Sequence, residues 1–347
     1  MNIPTRIVPK APSEPVICVD GAFGVMGLNL SHWPGNTTPD ALRHDLSTGC
    51  ALKFAELSEA ERMSFAEGAV AIVNNHYDTD GLCAAFATRH PDRALPHAEA
   101  LLNAARCGDF FQLPNLDALK FDAIVQGFAD VERSPIKEEL AGLDDYARWN
   151  RAQDALVDRL PSILAGLDGG LDAYEALWRE TIDNVRADLA DLEEAEREDV
   201  PALDLSLWTA EEGRGSSRAG SLGLFDPGRH ALFGSTKSDR VLAIGPIEAG
   251  ASYRLVVSTL SWFDLVTEKR LPRPDLAALA ERLNRLEDTS PSDDLAWRAQ
   301  SNENASPELW FGEAEQASFA EHNPALAPSE LEIDQVLPEI EKALTPQ

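Results

Sequence analysis

Short apolar runs alternate with segments of helical pattern along the first 111 residues of the chain. The apolar run Pro15–Val19 ends in Asp20, and further strand patterns cover Leu28–His32 and Ala69–Val73. Continuous apolar runs are typical of strands that are buried on both faces of a parallel sheet. Helices are expected to begin at residue 38 and to cover residues 50–55, 81–88 and 96–106. The alternation predicts an α/β domain with a mainly parallel sheet.

The pattern changes near residue 137 and again near residue 200. Helices are predicted over residues 143–160 and 171–198, and the acidic run 188–199 is interpreted as a solvated helix face. Short strands are then predicted at 203–208, 222–225, 230–234, 240–244 and 252–260, followed by a helix at 275–287. The end of the chain is rich in Ser, Pro, Asn and Glu, so we expect weak order there apart from a helix at 329–343.

These changes of pattern divide the chain into four parts. We expect an N-terminal metal-binding α/β domain over residues 1–136 and a helical connector over residues 137–200. A smaller α/β or α+β domain is expected over residues 201–290, followed by a partly irregular tail over residues 291–347.

The balance of charge narrows the range of partners. The 347 residues carry a formal net charge of −29, whereas the binding of long nucleic acid requires clustered Lys and Arg. A small anionic substrate remains compatible, because a metal ion and a few arginines invert the field locally. No apolar run is long enough to span a membrane, so no membrane association is expected.

Cysteine usage and the first residues bear on the cellular compartment. The four cysteines are scattered and form no CxxC pair, so we expect reduced thiols packed in cores: Cys18, Cys50, Cys83 and Cys107. Met1–Lys10 lacks the apolar core of a signal peptide. A cytoplasmic location is therefore expected.

The most informative motif follows the apolar run at residues 69–73. One imidazole and two carboxylates alternate at His76, Asp78 and Asp80, and Gly81 closes the motif. On an extended segment these positions point the same way, so the three side chains are expected to converge. Such ligands suit a hard or borderline divalent cation such as Mn²⁺ or Mg²⁺. The competing interpretation is an Asx-rich turn that caps the following helix.

Two known motifs with acids at similar spacing fit this segment poorly. An EF-hand loop that began at His76 would require a bidentate Glu at its twelfth position, where the chain has Ala87. A phosphatase of the haloacid dehalogenase type requires a strand that runs directly into Asp-x-Asp, usually followed by Gly-Thr. Here residues 74–77 intervene, and Leu82 stands in place of the Thr.

The segment resembles the first motif of the DHH phosphoesterase superfamily, in which a strand ends in His-x-Asp-x-Asp-Gly and a helix follows. Members of that superfamily use two Mn²⁺ ions to cleave phosphoester or phosphoanhydride bonds. Asp20, at the end of its apolar run, matches the bridging Asp of the superfamily. His32 in Ser31-His32-Trp33 matches the ligand His of its Asp-His-His triplet, and Asp109 after Gly108 matches its late Asp.

The chain also departs from the pattern of the superfamily. The first motif comes after the others, so the order of the motifs is permuted. Trp33 stands where the second His of the triplet helps to protonate the leaving group or to hold the phosphate, which affects catalysis more than metal binding. The C-terminal Gly-Gly-Gly-His signature is absent, and the nearest substitute is the basic, Gly-rich turn Gly213–Gly220.

The resemblance implies a binuclear site in which Asp20 bridges two Mn²⁺ or Mg²⁺ ions. The other ligands of one ion would be His76 and Asp78, and those of the second ion His32, Asp80 and Asp109. Asp20, His32 and Asp80 would be the catalytic residues. The expected function is the hydrolysis of a small phosphorylated or nucleotide-like substrate.

Two other functions stay open at this point. A degenerate relative could bind a metal and a nucleotide without turnover, and an acidic interaction protein would hold no metal at all. The oligomeric state, the substrate and the metal are not specified by the sequence.

Several residues are secondary candidates. Asn74 and Asn75 could orient ligands, and Asp45, Ser47 and Thr48 form a capping cluster that could also contact phosphate. The aromatic residues Trp262, Phe263, Trp297 and Trp310 are expected in the core. The candidate phosphate ligands are Arg214, Arg218, Arg254, Arg270 and Arg273.

Overall fold

The chain folds into two units, each of which combines helices with a sheet. A computed structural model describes residues 3–218, 223–248, 250–268, 271–314 and 325–345. The first unit comprises residues 1–182 and 263–269, and the second comprises residues 183–262 and 270–347. This organisation confirms the predicted α/β class.

Within the described residues, the first unit contains a sheet of four parallel strands in the order β1-β4-β2-β3. The strands are β1 (Thr5–Ile7), β2 (Val16–Val19), β3 (Gly27–Leu30) and β4 (Ile72–Asn74). The helices are α1 (Ser47–Glu56), α2 (Glu59–Phe65), α3 (Thr79–Arg89), α4 (Pro91–Ala94), α5 (Ala98–Phe110), α6 (Leu116–Phe128), α7 (Lys137–Leu140), α8 (Asp145–Val157) and α9 (Leu160–Leu164). The helix α10 (Glu175–Glu194) contains the boundary between the units at residue 182.

The predicted strands of the first unit are present because their side chains are buried on both faces. All four residues of β2 are buried, and Ile17 pairs with both Leu28 and Ile72. The helix expected from residue 38 is only a 3-10 turn at Asp40–Leu42, because the chain returns to an extended conformation at Arg43. The predicted burial of the four cysteines is confirmed.

The second unit contains a mixed sheet in the order β5-β6-β7-β8-β10-β9. Its strands are β5 (Glu196–Val200), β6 (Leu205–Thr209), β7 (Arg240–Pro246), β8 (Ala251–Val257), β9 (Ala296–Ala299) and β10 (Glu308–Gly312). Its helices are α11 (Arg229–Ser235), α12 (Leu276–Glu287) and α13 (Ile333–Leu344). Of the strand pairs in this sheet, β6–β7 is parallel and the others are antiparallel.

Four predicted elements of the later part of the chain are wrong. Residues 196–198, predicted as the end of a helix, belong to the edge strand β5, whose mostly exposed charged side chains hide the period of a strand. Residues 230–234, predicted as a strand, lie in α11, and residues 223–225 lie outside any strand, with residue 222 outside the described part of the chain. The supposedly irregular tail contributes β9 and β10, because β10 pairs with β8 and β9 pairs with β10, and this pairing orders a segment of weak local pattern.

The acidic run 188–199 is not simply a solvated helix face. Asp188 and Asp191 are almost completely buried on the second half of α10. Asp188 accepts a hydrogen bond from the Gly228 backbone, and Asp191 accepts two from Ser217. These two carboxylates therefore fasten loops of the second unit to its helix.

The edge strand β1 is completed by one side chain of α8. The Ile7 backbone N–H donates to Asn150 Oδ1, and Asn150 Nδ2 donates to the Ile7 carbonyl oxygen, both at 2.8 Å. An amide side chain thus replaces the next strand at this position. Because buried backbone groups without a partner are costly, Asn150 is expected to stabilise the edge.

We expect Asn150→Ala to lower the free energy of unfolding by about 1–3 kcal/mol, because two strand groups lose their partner. Urea denaturation measures this change. Asp154→Ala, at an exposed position of the same helix, is the control and should stay within about 0.5 kcal/mol of the wild type. Equal effects of the two substitutions would contradict the assignment.

Candidate metal centre

The side chains predicted as metal ligands lie together at the carboxyl ends of the parallel strands of the first unit. Asp20 follows β2 directly, His32 lies just beyond β3, and residues 76–78 follow β4. Neighbouring strands of a parallel sheet end at the same edge, so three loops bring their side chains to one place. Two helices supply the other carboxylates, Asp80 in the first turn of α3 and Asp109 near the end of α5.

These side chains form two overlapping groups. Within each group the candidate ligand atoms all lie within 4.8 Å of one another. The inner group, which is buried, consists of Asp20, His32, Asp80 and Asp109. The outer group, which is partly exposed, consists of Asp20, His76 and Asp78. All six predicted ligands are therefore brought together, and Asp20 belongs to both groups.

In the inner group the backbone orients the imidazole of His32. Its Nδ1 lies 2.5 Å from the carbonyl oxygen of Asp45, which can only accept, so Nδ1 carries the proton. The lone pair is left on Nε2, which lies 3.0 Å from Asp109 Oδ2 and 3.5 Å from Asp80 Oδ2. This tautomer is the one that a metal ligand requires.

In the outer group the side-chain amide of Asn75 orients the imidazole of His76. Asn75 Oδ1 lies 2.7 Å from His76 Nδ1 and can only accept, so in the neutral imidazole of His76 the lone pair is again on Nε2. That atom lies 3.0 Å from Asp78 Oδ2 and 3.2 Å from Asp20 Oδ2. The other oxygen of Asp20, Oδ1, is on the side of the inner group, 3.7 Å from His32 Nε2. Asp20 is thus oriented like a carboxylate that bridges two ions.

The alternating motif does not act as one extended segment. Asp78 is the N-cap of α3, where its Oδ1 accepts from the Gly81 N–H at 2.8 Å, and Asp80 already lies in the helix. The helical turn directs Asp80 into the inner group, while His76 and Asp78 stay in the outer group. The expected convergence on one point is therefore wrong, and the motif supplies both groups.

Asp80 also closes the N-terminal end of α1. The backbone N–H groups of Ser47 and Thr48 donate to its two oxygens at 2.8 and 2.7 Å. Ser47 Oγ donates to Asp20 Oδ1 at 2.8 Å. The expected capping cluster is thus a helix end that receives its cap from α3, and the positive N-terminal end of α1 lies against the carboxylate of Asp80.

Two backbone features show how closely this site is packed. Asp20 has a φ of 55°, in the left-handed region, which costs an L-residue on the order of 1–2 kcal/mol. A Cβ atom on Gly81 would lie 2.1 Å from Asn74 Nδ2 and 3.1 Å from Asp20 Oδ2. The Gly that closes the motif is therefore required by the close approach of α3 to the end of β4.

Without a cation the carboxylates of the site oppose one another. Burial, followed by the charges of Asp78 and Asp80, raises the pKa of Asp20 well above its ordinary value, and burial and the same two charges raise the pKa of Asp109. Burial lowers the pKa of His76, but the neighbouring carboxylates outweigh burial and raise this pKa well above its usual range. A divalent cation would offset both the burial of these carboxylates and their mutual repulsion.

The residues present fit a divalent cation. Two buried ligand atoms, Asp20 Oδ2 and His32 Nε2, make no geometrically acceptable hydrogen bond with the described part of the chain. Buried polar atoms usually have a partner, so such atoms call for an explanation such as an ion. The donor set consists of carboxylate oxygens and imidazole nitrogens without a thiolate, which suits Mn²⁺ or Mg²⁺ better than a soft metal.

Aromatic rings lie against both imidazoles. The ring of Phe263 stacks on His32 with a centroid distance of 3.9 Å and an interplanar angle of 13°. Phe110 contacts the same imidazole, and the half-buried Trp33 lies 4.9 Å from the ring of His76. Phe263 was expected only in the core, and no local signal links it to a motif so distant in the sequence.

A family model matches residues 5–347 of the chain, which is almost its entire length. The chain belongs to DUF6687. This family is described as a family of unknown function. The comparison with curated proteins found no match. No helix in the described part of this DUF6687 chain is long and apolar enough to cross a membrane.

Four of the five arginines considered as phosphate ligands are described, and each of them is engaged within the second unit of this DUF6687 protein. Arg254 is completely buried and donates to both oxygens of Glu308, at 2.7 and 3.1 Å, and to Asp226. Arg254 is therefore a structural ion-pair residue, and its assignment to phosphate is wrong. Of the others, Arg214 pairs with Glu194, Arg218 with Asp226, and Arg273 with main-chain carbonyls. Arg270 and the last two residues of the turn Gly213–Gly220 lie outside the described residues.

A further buried carboxylate supports the motif of the DUF6687 chain from behind. Thr79 Oγ1 donates to Asp122 Oδ1 of α6 at 2.5 Å, which fixes the residue between Asp78 and Asp80. A Cβ atom on Gly108 would lie 3.0 Å from the same carboxylate oxygen, so α5 also approaches closely here. Burial raises the pKa of Asp122 to about 6. No sequence pattern singles out this residue.

We compare the free energies of unfolding of the wild type and of Asp122→Asn. The difference between them, wild type minus variant, is expected to fall as the pH rises from 4 to about 6. The folded state holds the Asp122 proton more tightly than the unfolded state, so this difference in the free energy of unfolding should change by on the order of 1–3 kcal/mol and then stay constant. Asn retains the acceptor for Thr79, and the other titrating groups cancel between the two proteins.

Urea denaturation at pH 4 and pH 7.5 measures this effect. Asp117→Asn, at an exposed position of the same helix, is the matched control and should show no comparable change. A difference between the wild type and Asp122→Asn that does not depend on pH would contradict the assignment.

Proposed function

We propose that this protein is a divalent-metal-dependent phosphoesterase that hydrolyses a small phosphorylated or nucleotide-like substrate at a binuclear centre. The observation that carries the proposal is the overlap of the inner and outer groups at Asp20. The imidazoles of His32 and His76 lie on opposite sides of the Asp20 carboxylate, and each can direct a lone pair toward it. A single structural ion would not require this arrangement. Paired divalent ions that share a carboxylate are typical of enzymes that hydrolyse phosphate esters.

The roles of the residues follow from their positions. Asp20 would hold both ions, His32, Asp80 and Asp109 would hold the inner ion, and His76 and Asp78 would hold the outer ion. When bound, such ions polarise the phosphoryl group and lower the pKa of water. The chain itself fixes the imidazole tautomers and the carboxylates, so the ligands need little rearrangement when ions bind.

The exposed side of the centre is the side of the outer group. The side chains of His76 and Asp78 are 26% and 24% exposed, whereas those of His32 and Asp80 are fully buried. A substrate would therefore approach from the outer group, next to the half-buried ring of Trp33. In hydrolysis the bond from phosphorus to the leaving oxygen is replaced by a bond to a water oxygen, and the leaving oxygen gains a proton.

Trp33 favours a second candidate function, in which the substrate is bound but not hydrolysed. Trp33 occupies the position that the DHH resemblance assigns to a His near the phosphate, and an indole ring neither protonates a leaving group nor binds an anion as an imidazolium does. A protein that binds metal and nucleotide without turnover is therefore the alternative. Both candidate functions involve Mn²⁺ or Mg²⁺. A measurement of hydrolysis therefore distinguishes the enzyme from the binding protein.

We expect the wild type to bind about two Mn²⁺ per chain, Asp78→Asn about one, and Asp20→Asn essentially none. Asn is chosen at position 20 because it tolerates the left-handed backbone of Asp20. Elemental analysis after equilibrium dialysis measures the stoichiometry, and Asp117→Asn is the control with an unchanged count. Equal metal contents in all four proteins would contradict the binuclear centre.

Hydrolysis of bis(p-nitrophenyl) phosphate tests the catalytic part of the proposal. We expect Mn²⁺-dependent release of nitrophenolate that falls by about 100-fold or more in Asp20→Asn and in Asp80→Asn. Metal binding in the wild type without hydrolysis of this or other phosphoesters would favour the binding protein. Neither metal binding nor hydrolysis would leave the acidic interaction protein.

A further inference from the structure

A short segment from the later part of the chain belongs to the first unit and lies against the inner group. This segment, Phe263–Thr267, is described completely. Phe263 is 3% exposed, and its ring stacks nearly parallel on the imidazole of His32. The backbone N–H of Asp264 donates to the carbonyl oxygen of His32 at 2.8 Å. The segment therefore contacts both the side chain and the backbone of one predicted ligand.

The same segment is fastened to the residue that orients His32. The backbone N–H groups of Val266 and Thr267 donate to Asp45 Oδ1 at 2.5 and 3.0 Å. The hydroxyl group of Thr267 donates to the other oxygen of the same carboxylate. Asp45 thus holds the segment through its side chain and holds His32 Nδ1 through its carbonyl oxygen.

We propose that the segment Phe263–Thr267 is a clamp that positions His32 for metal binding through Phe263 and Asp45. This inference rests on the proposed function, because it gives His32 the role of an inner ligand. Two contacts restrain the imidazole independently. The hydrogen bond to Asp45 fixes the tautomer, and the face contact with Phe263 limits rotation of the ring out of the plane in which Nε2 points at Asp80 and Asp109.

Simple core packing does not account for this arrangement. An apolar side chain of similar size would fill the space of Phe263, but only a planar ring gives a stacked face contact with an imidazole. Three hydrogen bonds to one carboxylate would also be unnecessary for a segment that served only as a cover. The clamp variants should therefore affect the affinity for metal, and not the fold alone.

The test uses the full-length protein and the variants Phe263→Leu and Asp45→Ala. Leu keeps an apolar side chain against His32 but removes the stacked ring, and Ala at position 45 keeps the backbone carbonyl but removes the anchor of the segment. Phe128→Leu, at a fully buried position of α6, is the matched control for loss of a buried ring. Asp45 is only half-buried, so Asp45→Ala is expected to fold.

We expect both clamp variants to bind Mn²⁺ about 10–100-fold more weakly at the inner site, as found when residues that orient metal ligands are replaced. The control should bind Mn²⁺ like the wild type even where its melting temperature falls. Isothermal titration and the electron paramagnetic resonance of bound Mn²⁺ measure the affinity. In metal-free protein, ¹⁵N resonances of the histidines should show His32 protonated on Nδ1 in the wild type, and a mixture of tautomers in Asp45→Ala.

The outcomes separate the two proposals. A wild type that binds Mn²⁺, together with clamp variants of unchanged affinity and an unchanged His32 tautomer, would overturn the clamp and leave the proposed function standing. A wild type without metal affinity would overturn the proposed function, and the clamp with it. A loss of affinity as large in Phe128→Leu as in Phe263→Leu would also overturn the clamp.

Discussion

The carboxylate of Asp20 is completely buried at the point where the parallel strands of the first unit end, and the surrounding structure is arranged around it. Its two oxygens face different imidazoles, its backbone adopts a left-handed conformation, and it accepts a hydrogen bond from Ser47. A buried carboxylate requires compensation by hydrogen bonds or by positive charge. The donors around Asp20 compensate part of this cost, and a pair of divalent cations would compensate the rest.

The close packing of the neighbouring elements follows from the same requirement. Gly81 lets α3 approach Asp20, and Asp80 on that helix closes α1, so strand ends and helix starts meet around one anionic centre. The N-terminus of α1 and the imidazoles of His32 and His76 lie against these carboxylates. The chain thus brings several carboxylates close together and stabilises them with hydrogen bonds and a helix N-terminus. Such an arrangement is typical of metal and catalytic sites.

The sequence was informative where structure is local. Continuous apolar runs predicted β2, β3 and β4, and polar residues directly after them predicted where the candidate ligands lie, because the ends of parallel strands share an edge. The prediction failed for the direction of Asp80, since α3, with its N-cap at Asp78, begins at Thr79, two residues earlier than the extended pattern implied. Asp residues at positions 78 and 80 fit both a helix N-cap and the alternating end of a strand, so the pattern alone does not distinguish the two structures.

Contacts between distant segments could not be predicted from a single sequence. Phe263, the carbonyl oxygen of Asp45 and the Asp122 carboxylate carry no local pattern that relates them to the motif. The strands β9 and β10 lie in a segment of weak local pattern, because β10 is ordered by pairing with the distant β8 and β9 by pairing with β10. The helix predicted over residues 171–198 wrongly includes the first three residues of the edge strand β5, because the charged side chains of this strand are mostly exposed and show no alternation.

The most direct test of the binuclear centre is anomalous diffraction at the manganese absorption edge from crystals grown with Mn²⁺. Two peaks are expected, one on either side of Asp20 and about 3.5–4 Å apart. One peak should lie among His32, Asp80 and Asp109, and the other beside His76 and Asp78. A single peak away from Asp20, or no anomalous peak at these residues at saturating Mn²⁺, would contradict the account.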